Sequence, residues 1–264
     1  MKDILSEIVA NKKKELAREK EQLSLKELER QLLQKENIPF SSLKEALVNS
    51  VSGIIAEFKR RSPSKGWLHK DADVCQVTKT YEDSGASALS ILTDQKHFGG
   101  TLTDLNVAVQ NVKIPVMRKE FIIDEYQIYQ AKLSGASAIL LIAAAITKEE
   151  TACFTKLADE LQLDVLLELH DENETEYITP LNKLIGVNNR NLGSFVTDLQ
   201  KSFRMAELLP KDSVWVSESG ISDTNVVREL RDSGYRGFLI GEYFMKSGKP
   251  GETLKEFIQQ ITVD

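Results

Sequence analysis

Glu57 and Lys59 set a carboxylate and an ammonium two residues apart at the end of a short apolar run. If that run is a strand, alternation turns both side chains to one face while Phe58 packs the other way. A second lysine, Lys119, follows another apolar run, and Glu168 closes a third. A carboxylate beside two lysines can hold each ammonium in place and tune its pKa for proton transfer. The competing reading is a structural ion-pair network. Later runs end in Asn188-Asn-Arg190-Asn, Ser217-Glu218-Ser219-Gly220 and Gly241-Glu242. Charge directly after an apolar segment costs desolvation unless a partner or ligand compensates it, so this many polar ends are hard to explain as caps and turns. Ser219-Gly220 and Gly241-Glu242 offer small residues whose backbone N–H groups can approach an anion, and Tyr243-Phe-Met245 begins a short helix whose positive end helps. The ligand expected is a small phosphorylated molecule, with Lys59 able to supply the countercharge.

The elements that must position these groups are eight short apolar runs alternating with helical stretches. They are Ile54-Ile-Ala-Glu-Phe58, Ala88-Leu-Ser-Ile-Leu92, Ile114-Pro-Val-Met117, Ala138-Ile-Leu-Leu-Ile142, Asp164-Val-Leu-Leu-Glu168, Leu184-Ile-Gly-Val187, Val214-Trp-Val216 and Phe238-Leu-Ile240. Their ends recur about every 20 to 35 residues, the length of one strand, one helix and two loops. A weak repeat agrees: Ser84-Gly-Ala-Ser-Ala-Leu-Ser-Ile-Leu92 matches Ser134-Gly-Ala-Ser-Ala-Ile-Leu-Leu-Ile142, with Ser233-Gly-Tyr-Arg-Gly-Phe-Leu-Ile240 a looser copy. In each, Gly ends a helix and a turn feeds a buried parallel strand. Eight such units close into a (β/α)8 TIM barrel, whose active site lies at the carboxyl ends of the strands. From Lys2 to about Gln34 the apolar spacing is helical, and Ser24 with Glu27 and Ser42 with Glu45 read as capping boxes. The expected organisation is one domain over 1–264, with an N-terminal helical extension over 1–50 and the barrel over 51–264.

Composition excludes other classes. The 264 residues are 41% hydrophobic and 28% charged with a formal net charge of -6, which suits neither nucleic acid nor anionic lipid as a partner. The Lys12-Lys-Lys14 run is followed closely by Glu15, Glu19 and Glu21, so a solvated helix face is expected there. Cys75 and Cys153 form no disulfide or zinc pattern and read as small buried apolar residues. No histidine sits at metal-ligand spacing, and none is given a catalytic role. The charged first ten residues lack a secretory pattern, and no apolar run spans a bilayer, so a cytoplasmic protein is expected.

Seven segments, in order, resemble the indole-3-glycerol phosphate synthase family over essentially the whole chain. They are Ile54-Ile-Ala-Glu-Phe-Lys-Arg-Arg-Ser-Pro-Ser64, Leu92-Thr-Asp-Gln-Lys-His-Phe-Gly-Gly100, Arg118-Lys-Glu-Phe-Ile-Ile-Asp124, Leu166-Leu-Glu-Leu-His170, Ile185-Gly-Val-Asn-Asn-Arg-Asn-Leu192, Val216-Ser-Glu-Ser-Gly-Ile221 and Leu239-Ile-Gly-Glu242. The resemblance implies a cofactor-free and metal-free reaction: 1-(2-carboxyphenylamino)-1-deoxyribulose 5-phosphate undergoes ring closure, decarboxylation and dehydration. It implies Lys119 as the acid on the sugar carbonyl, oriented by Glu57, with Lys59 and Glu168 sharing the second stage in roles the sequence does not separate. It also implies that Asn188, Glu218 and Ser219 position the substrate, and that Phe98, Phe121 and Leu192 wall the anthranilate ring near Arg190. Ser62, Gly220, Gly241 and Glu242 then fall around the phosphate. The chain departs from the family at Glu120, usually Asp, and at Tyr243-Phe244, usually smaller or aliphatic. A monomer is expected, with other tryptophan-pathway enzymes as its candidate protein partners. The rivals are another phosphate-binding barrel of the tryptophan or histidine pathways and a catalytically silent scaffold.

Overall fold

The computed structural model describes residues 4–35 and 40–262; residues 1–3, 36–39 and 263–264, which the expected 1–264 span includes, lie outside the described residues. Eight parallel strands close into a barrel: β1 (Ile54–Phe58), β2 (Ala88–Leu92), β3 (Val116–Lys119), β4 (Ala138–Ile142), β5 (Asp164–Leu169), β6 (Leu184–Asn188), β7 (Val214–Glu218) and β8 (Gly237–Ile240). Each pairs with its sequence neighbours, and β1 pairs with both β2 and β8. Strands buried on both faces read as unbroken apolar runs, which is why these eight were legible. The third was expected over 114–117 and is shifted two residues, because Pro115 has no N–H to give a ladder.

Alternation sorts the strand residues into two cores. Phe58, Ile91, Ile139, Leu167 and Ile185 face the outer helices, and Ile55, Met117, Leu140, Leu166, Val216 and Leu239 fill the barrel. The chain opens with α1 (Ile4–Gln22), α2 (Leu25–Gln34) and α3 (Leu43–Val48); the proposed start of the first helix at Lys2 lies outside the described residues. Leu43 and Leu47 of α3 pack on the barrel interior, and Ser42 donates to Asp164 at the start of β5, so α3 closes the amino-terminal end. Leu5 and Ile8 of α1 pack into that same interior cluster beside Phe121, at the carboxyl-terminal end.

Three expectations need correction. Ser24 and Ser42 each accept the amide three residues on, but Glu27 turns to Arg30 and Gln31, and the reciprocal half of neither box is formed. Reciprocal boxes occur instead at Thr101/Asp104 and Thr147/Glu150. Lys12 is not solvated: it is buried where α1 crosses the barrel, with its ammonium 2.7 Å from Glu15, 3.1 Å from Asp94 and 3.2 Å from Glu120. Cys75 is half-buried and Cys153 is exposed on the outer face of its helix, so neither is a core residue.

Candidate active site

Glu57, Lys59, Lys119, Glu168 and Asn188 all line one cavity of about 680 Å³ at the carboxyl ends of the strands, a size suited to a small substrate. Phe98, Phe121, Arg190, Leu192, Ser219, Gly220, Gly241 and Glu242 line it too. Glu218 stands just beneath, bonded to Lys119. Ser62 is not brought in: its hydroxyl accepts the Lys65 amide, and the neighbouring Pro63 and Ser64 reach the cavity instead.

Alternation at the end of β3 sends Arg118 outward to the Gln127 carbonyl and Lys119 inward. The Lys119 ammonium lies 2.9 Å from Glu218 Oε2 and 3.3 Å from Glu168 Oε2. Glu57, expected to orient Lys119, instead accepts a hydrogen bond from Lys59. A carboxylate two residues from an ammonium on one strand face is already within reach, and Glu168 and Glu218 are left for the lysine across the mouth. Burial opposes the charge on Lys119, but Glu218, Glu168 and Glu57 outweigh it and raise its pKa, so the ammonium stays protonated.

The two carboxyls around Lys119 are not equivalent. Burial pushes Glu168 upward, yet Lys119, His170 and Asn188 overcome it and hold the group well below the usual carboxylate range. Asn188 donates to Glu168 Oε1 at 3.1 Å, and His170 Nε2 sits 2.6 Å from the same oxygen. Glu218 is pushed up to about 8 by burial and by Glu168, against the pull of Lys119. Its Oε1 is buried without a hydrogen-bond partner among the described residues. Neighbouring carboxyls whose environments drive them apart are the arrangement from which acid and base roles are built.

Glycines make the room. A Cβ on Gly186 of β6 would stand 2.3 Å from Glu218 Oε1, and one on Gly241 would stand 2.5 Å from Glu57 Oε1. After β7, Ser219 and Gly220 are both left-handed at φ 70° and 81°. Such a conformation at a serine costs of order 1 kcal/mol and is kept where the surrounding structure over-determines it. At the other end of the cavity Phe98 and Phe121 meet at 6.0 Å between centroids, with Ile4 and Ile8 of α1 and Leu192 completing an apolar wall. Arg190 reaches Glu242 at 3.1 Å, and Lys246 also lines the cavity near Tyr243. Glu120 pairs with Lys12 and accepts from Thr93, so its extra methylene over Asp meets partners of its own.

Sequence reasoning missed Ile4, Ile8 and Lys246, and it set His170 aside. For His170 the signal was present: Glu168 and His170 differ by two, the strand period, but the apolar run by itself ends at Glu168, one residue short of the strand. Ile4 and Ile8 carry no such signal, since apolar residues on a helix state only that the helix packs. Among the described residues no group of three or more His, Cys, Asp or Glu is placed to hold a metal, and no helix is long and apolar enough to cross a membrane.

A family model described as Indole-3-glycerol phosphate synthase matches residues 5–257. A protein of that name from Bacteroides thetaiotaomicron is 55% identical over 262 residues, covering 99% of this chain and 100% of that protein. One from Koribacter versatilis is 40% identical over 259 residues, covering 98% and 100%. Among solved structures, a thiamine phosphate pyrophosphorylase from Pyrococcus furiosus superposes with a TM-score of 0.58 at 13% identity, over 80% of this chain and 96% of that one. That likeness speaks to the fold alone.

Proposed function

The chain belongs to the indole-3-glycerol phosphate synthase family, and from that premise we propose which of its residues carry each step of the chemistry. The activity is that of a carboxy-lyase of tryptophan biosynthesis. The substrate is a small phosphorylated molecule, 1-(2-carboxyphenylamino)-1-deoxyribulose 5-phosphate. Its aromatic ring seats against Phe98, Phe121, Leu192 and Ile8. Its phosphate lies toward the backbone around Gly220 and Gly241, with Ser219 and Asn188 between.

Lys119 is the first acid. Glu168 and Glu218 take two of its three N–H donors and leave the third for the sugar carbonyl. As the ring carbon bearing the carboxylate attacks that carbonyl, Lys119 delivers its proton to the oxygen, which becomes a hydroxyl. The C–C bond to the carboxylate then breaks, carbon dioxide departs, and the bonding pair restores the aromatic ring.

Dehydration needs an acid for the hydroxyl and a base for the adjacent methylene. Lys59, steadied by Glu57, protonates the hydroxyl, which leaves as water, and Glu168 takes the methylene proton. Glu168 is a poor base while Lys119 is charged beside it. Once Lys119 has given up its proton, the main cation holding Glu168 down is gone, and burial then favours its protonated form. Glu168 returns the proton to Lys119 across their existing contact, and Lys59 recovers one from solvent. The net reaction consumes one proton, as loss of carbon dioxide from a carboxylate requires.

The observation that supports this assignment most is one ammonium shared by two carboxyls of opposite tendency at the floor of a cavity. The test is fluorescence: the purified protein should turn the substrate into a product with indole emission without added metal. Lys119→Ala should lower turnover by at least about 10²- to 10⁴-fold with an unchanged circular dichroism spectrum. Normal turnover in that variant would remove Lys119 as the acid.

A further inference from the structure

His170 has no part in the steps above and does not line the cavity, yet it makes the shortest of the contacts to Glu168. Its Nε2 stands 2.6 Å from Glu168 Oε1, its side chain is 10% exposed, and its Nδ1 is buried without a hydrogen-bond partner. Among the described residues the imidazole's only hydrogen bond is therefore the one to Glu168. The backbone at this position is held as well, since the His170 amide donates to Glu174 at 2.6 Å.

The two oxygens of Glu168 are divided between different tasks. Oε1 accepts from Asn188 and faces His170, whereas Oε2 faces Lys119. A carboxylate held at one oxygen by two donors cannot swing, so its other oxygen keeps a fixed aim. We propose that His170 is the positioning residue for Glu168, pinning one carboxylate oxygen so that the other is presented to Lys119 and to the methylene proton of the substrate. The inference rests on the reading of Glu168 as the base for dehydration.

The charged groups around the ring fit a titrating partner. Burial would lower the His170 pKa, but Glu168 on its own strand and Glu174 on the following turn outweigh burial and raise it, while Lys201 from helix Gln200–Met205 opposes them. Lys119 enters through Glu168, the carboxylate it shares with His170. His170 thus holds a proton more readily than a free imidazole, and its deprotonation removes charge beside the base without touching the substrate.

The experiment compares His170→Ala, His170→Gln and Glu168→Gln by steady-state kinetics across pH. His170→Ala should lower kcat by roughly 10- to 100-fold, the scale at which orienting residues act, with KM within about threefold of the parent. His170→Gln places an amide donor near the position of Nε2 and should recover most of kcat, while the ionisation assigned to the imidazole disappears from the kcat profile. With three histidines in the chain, the imidazole signal absent from the His170→Gln proton spectrum identifies His170, and its titration should coincide with the ionisation lost. A kcat for His170→Ala within twofold of the parent, a Gln variant no better than Ala, or an unaltered pH profile would each overturn the proposal. Should His170→Ala not fold, His170→Gln carries the test alone through the missing ionisation. An active Glu168→Gln enzyme would instead overturn the assignment of the base. An inactive Glu168→Gln beside an unaffected His170→Ala would sink the positioning role and leave the base standing.

Discussion

Two lysines at the same end of the barrel, Lys119 and Lys12, both sit among carboxylates and do different work. Lys12 is ringed by Glu15, Asp94 and Glu120 at 2.7 to 3.2 Å and does not reach the cavity, and the Asp94 oxygen it approaches makes no hydrogen bond among the described residues. Lys119 has two carboxylates at 2.9 and 3.3 Å and faces the cavity with its third donor. In both, carboxylates overcome burial and raise the pKa. A raised pKa therefore does not mark a catalytic lysine here; an uncommitted donor facing a void does. The boundary between the two clusters falls inside β3 and its loop, where Lys119 belongs to one and Glu120 to the next.

Substituting each lysine with Met probes the comparison most strongly. Lys119→Met should cost about 10³-fold or more in kcat, whereas Lys12→Met should keep kcat within about tenfold and lose about 3 to 5 kcal/mol of stability by stranding Asp94 and Glu120. Urea titration beside the fluorescence assay reads both, and a folded Lys12→Met enzyme as dead as Lys119→Met would erase the distinction. A smaller effect sharpens it. If Lys12 serves only to seat α1, Lys12→Met and Ile8→Ala should both raise KM, by roughly three- to tenfold, since each loosens an apolar wall worth about 1 kcal/mol. A rise in KM for Ile8→Ala with none for Lys12→Met would show that α1 is held by something else.

The smallest effect is one of pH. The folded-state pKa of His170 is raised above 6.5, so its contribution to stability is complete below that value and is lost as pH climbs through the folded value. The difference in unfolding free energy between the parent and His170→Gln should therefore shrink as pH rises above 6.5. Glu168, depressed, behaves oppositely: its contribution is complete above 4.5 and is lost as pH falls toward its folded value. Replacing Glu168 with Gln should flatten the acid side of the stability curve and, by removing the carboxylate that raises His170, weaken the alkaline side as well.

The strands and the residues at their ends were legible because a parallel barrel needs buried apolar runs and gathers their carboxyl-terminal ends on one rim. Which carboxylate meets which lysine was not. That depends on the stagger of the strands, which sets Asn188 beside Glu218 and Leu92 beside Lys119, and stagger leaves no trace in a single run. The family resemblance alone therefore pairs Glu57 with Lys119, whereas its hydrogen bond goes to Lys59. Lys12 misleads for a related reason: three lysines in a row and then glutamates describe a wet helix unless one knows that Asp94 and Glu120 wait opposite. Gly186 shows the converse, a position that reads as an ordinary strand glycine and that clears space for Glu218, and Gly241, expected at the phosphate, also clears space for Glu57.

The helix that roofs the cavity is synthesised before the strands it rests on. Its anchors come much later: Lys12 reaches Asp94 and Glu120, and Lys20 reaches Asp124 across 104 residues. During synthesis the apolar stripe of Ile4, Leu5 and Ile8 thus has nothing to cover until the third strand and its loop have emerged. The nascent chain carries its own roof in waiting, and the reaction chamber is finished from the front of the sequence only after the middle of the wall exists.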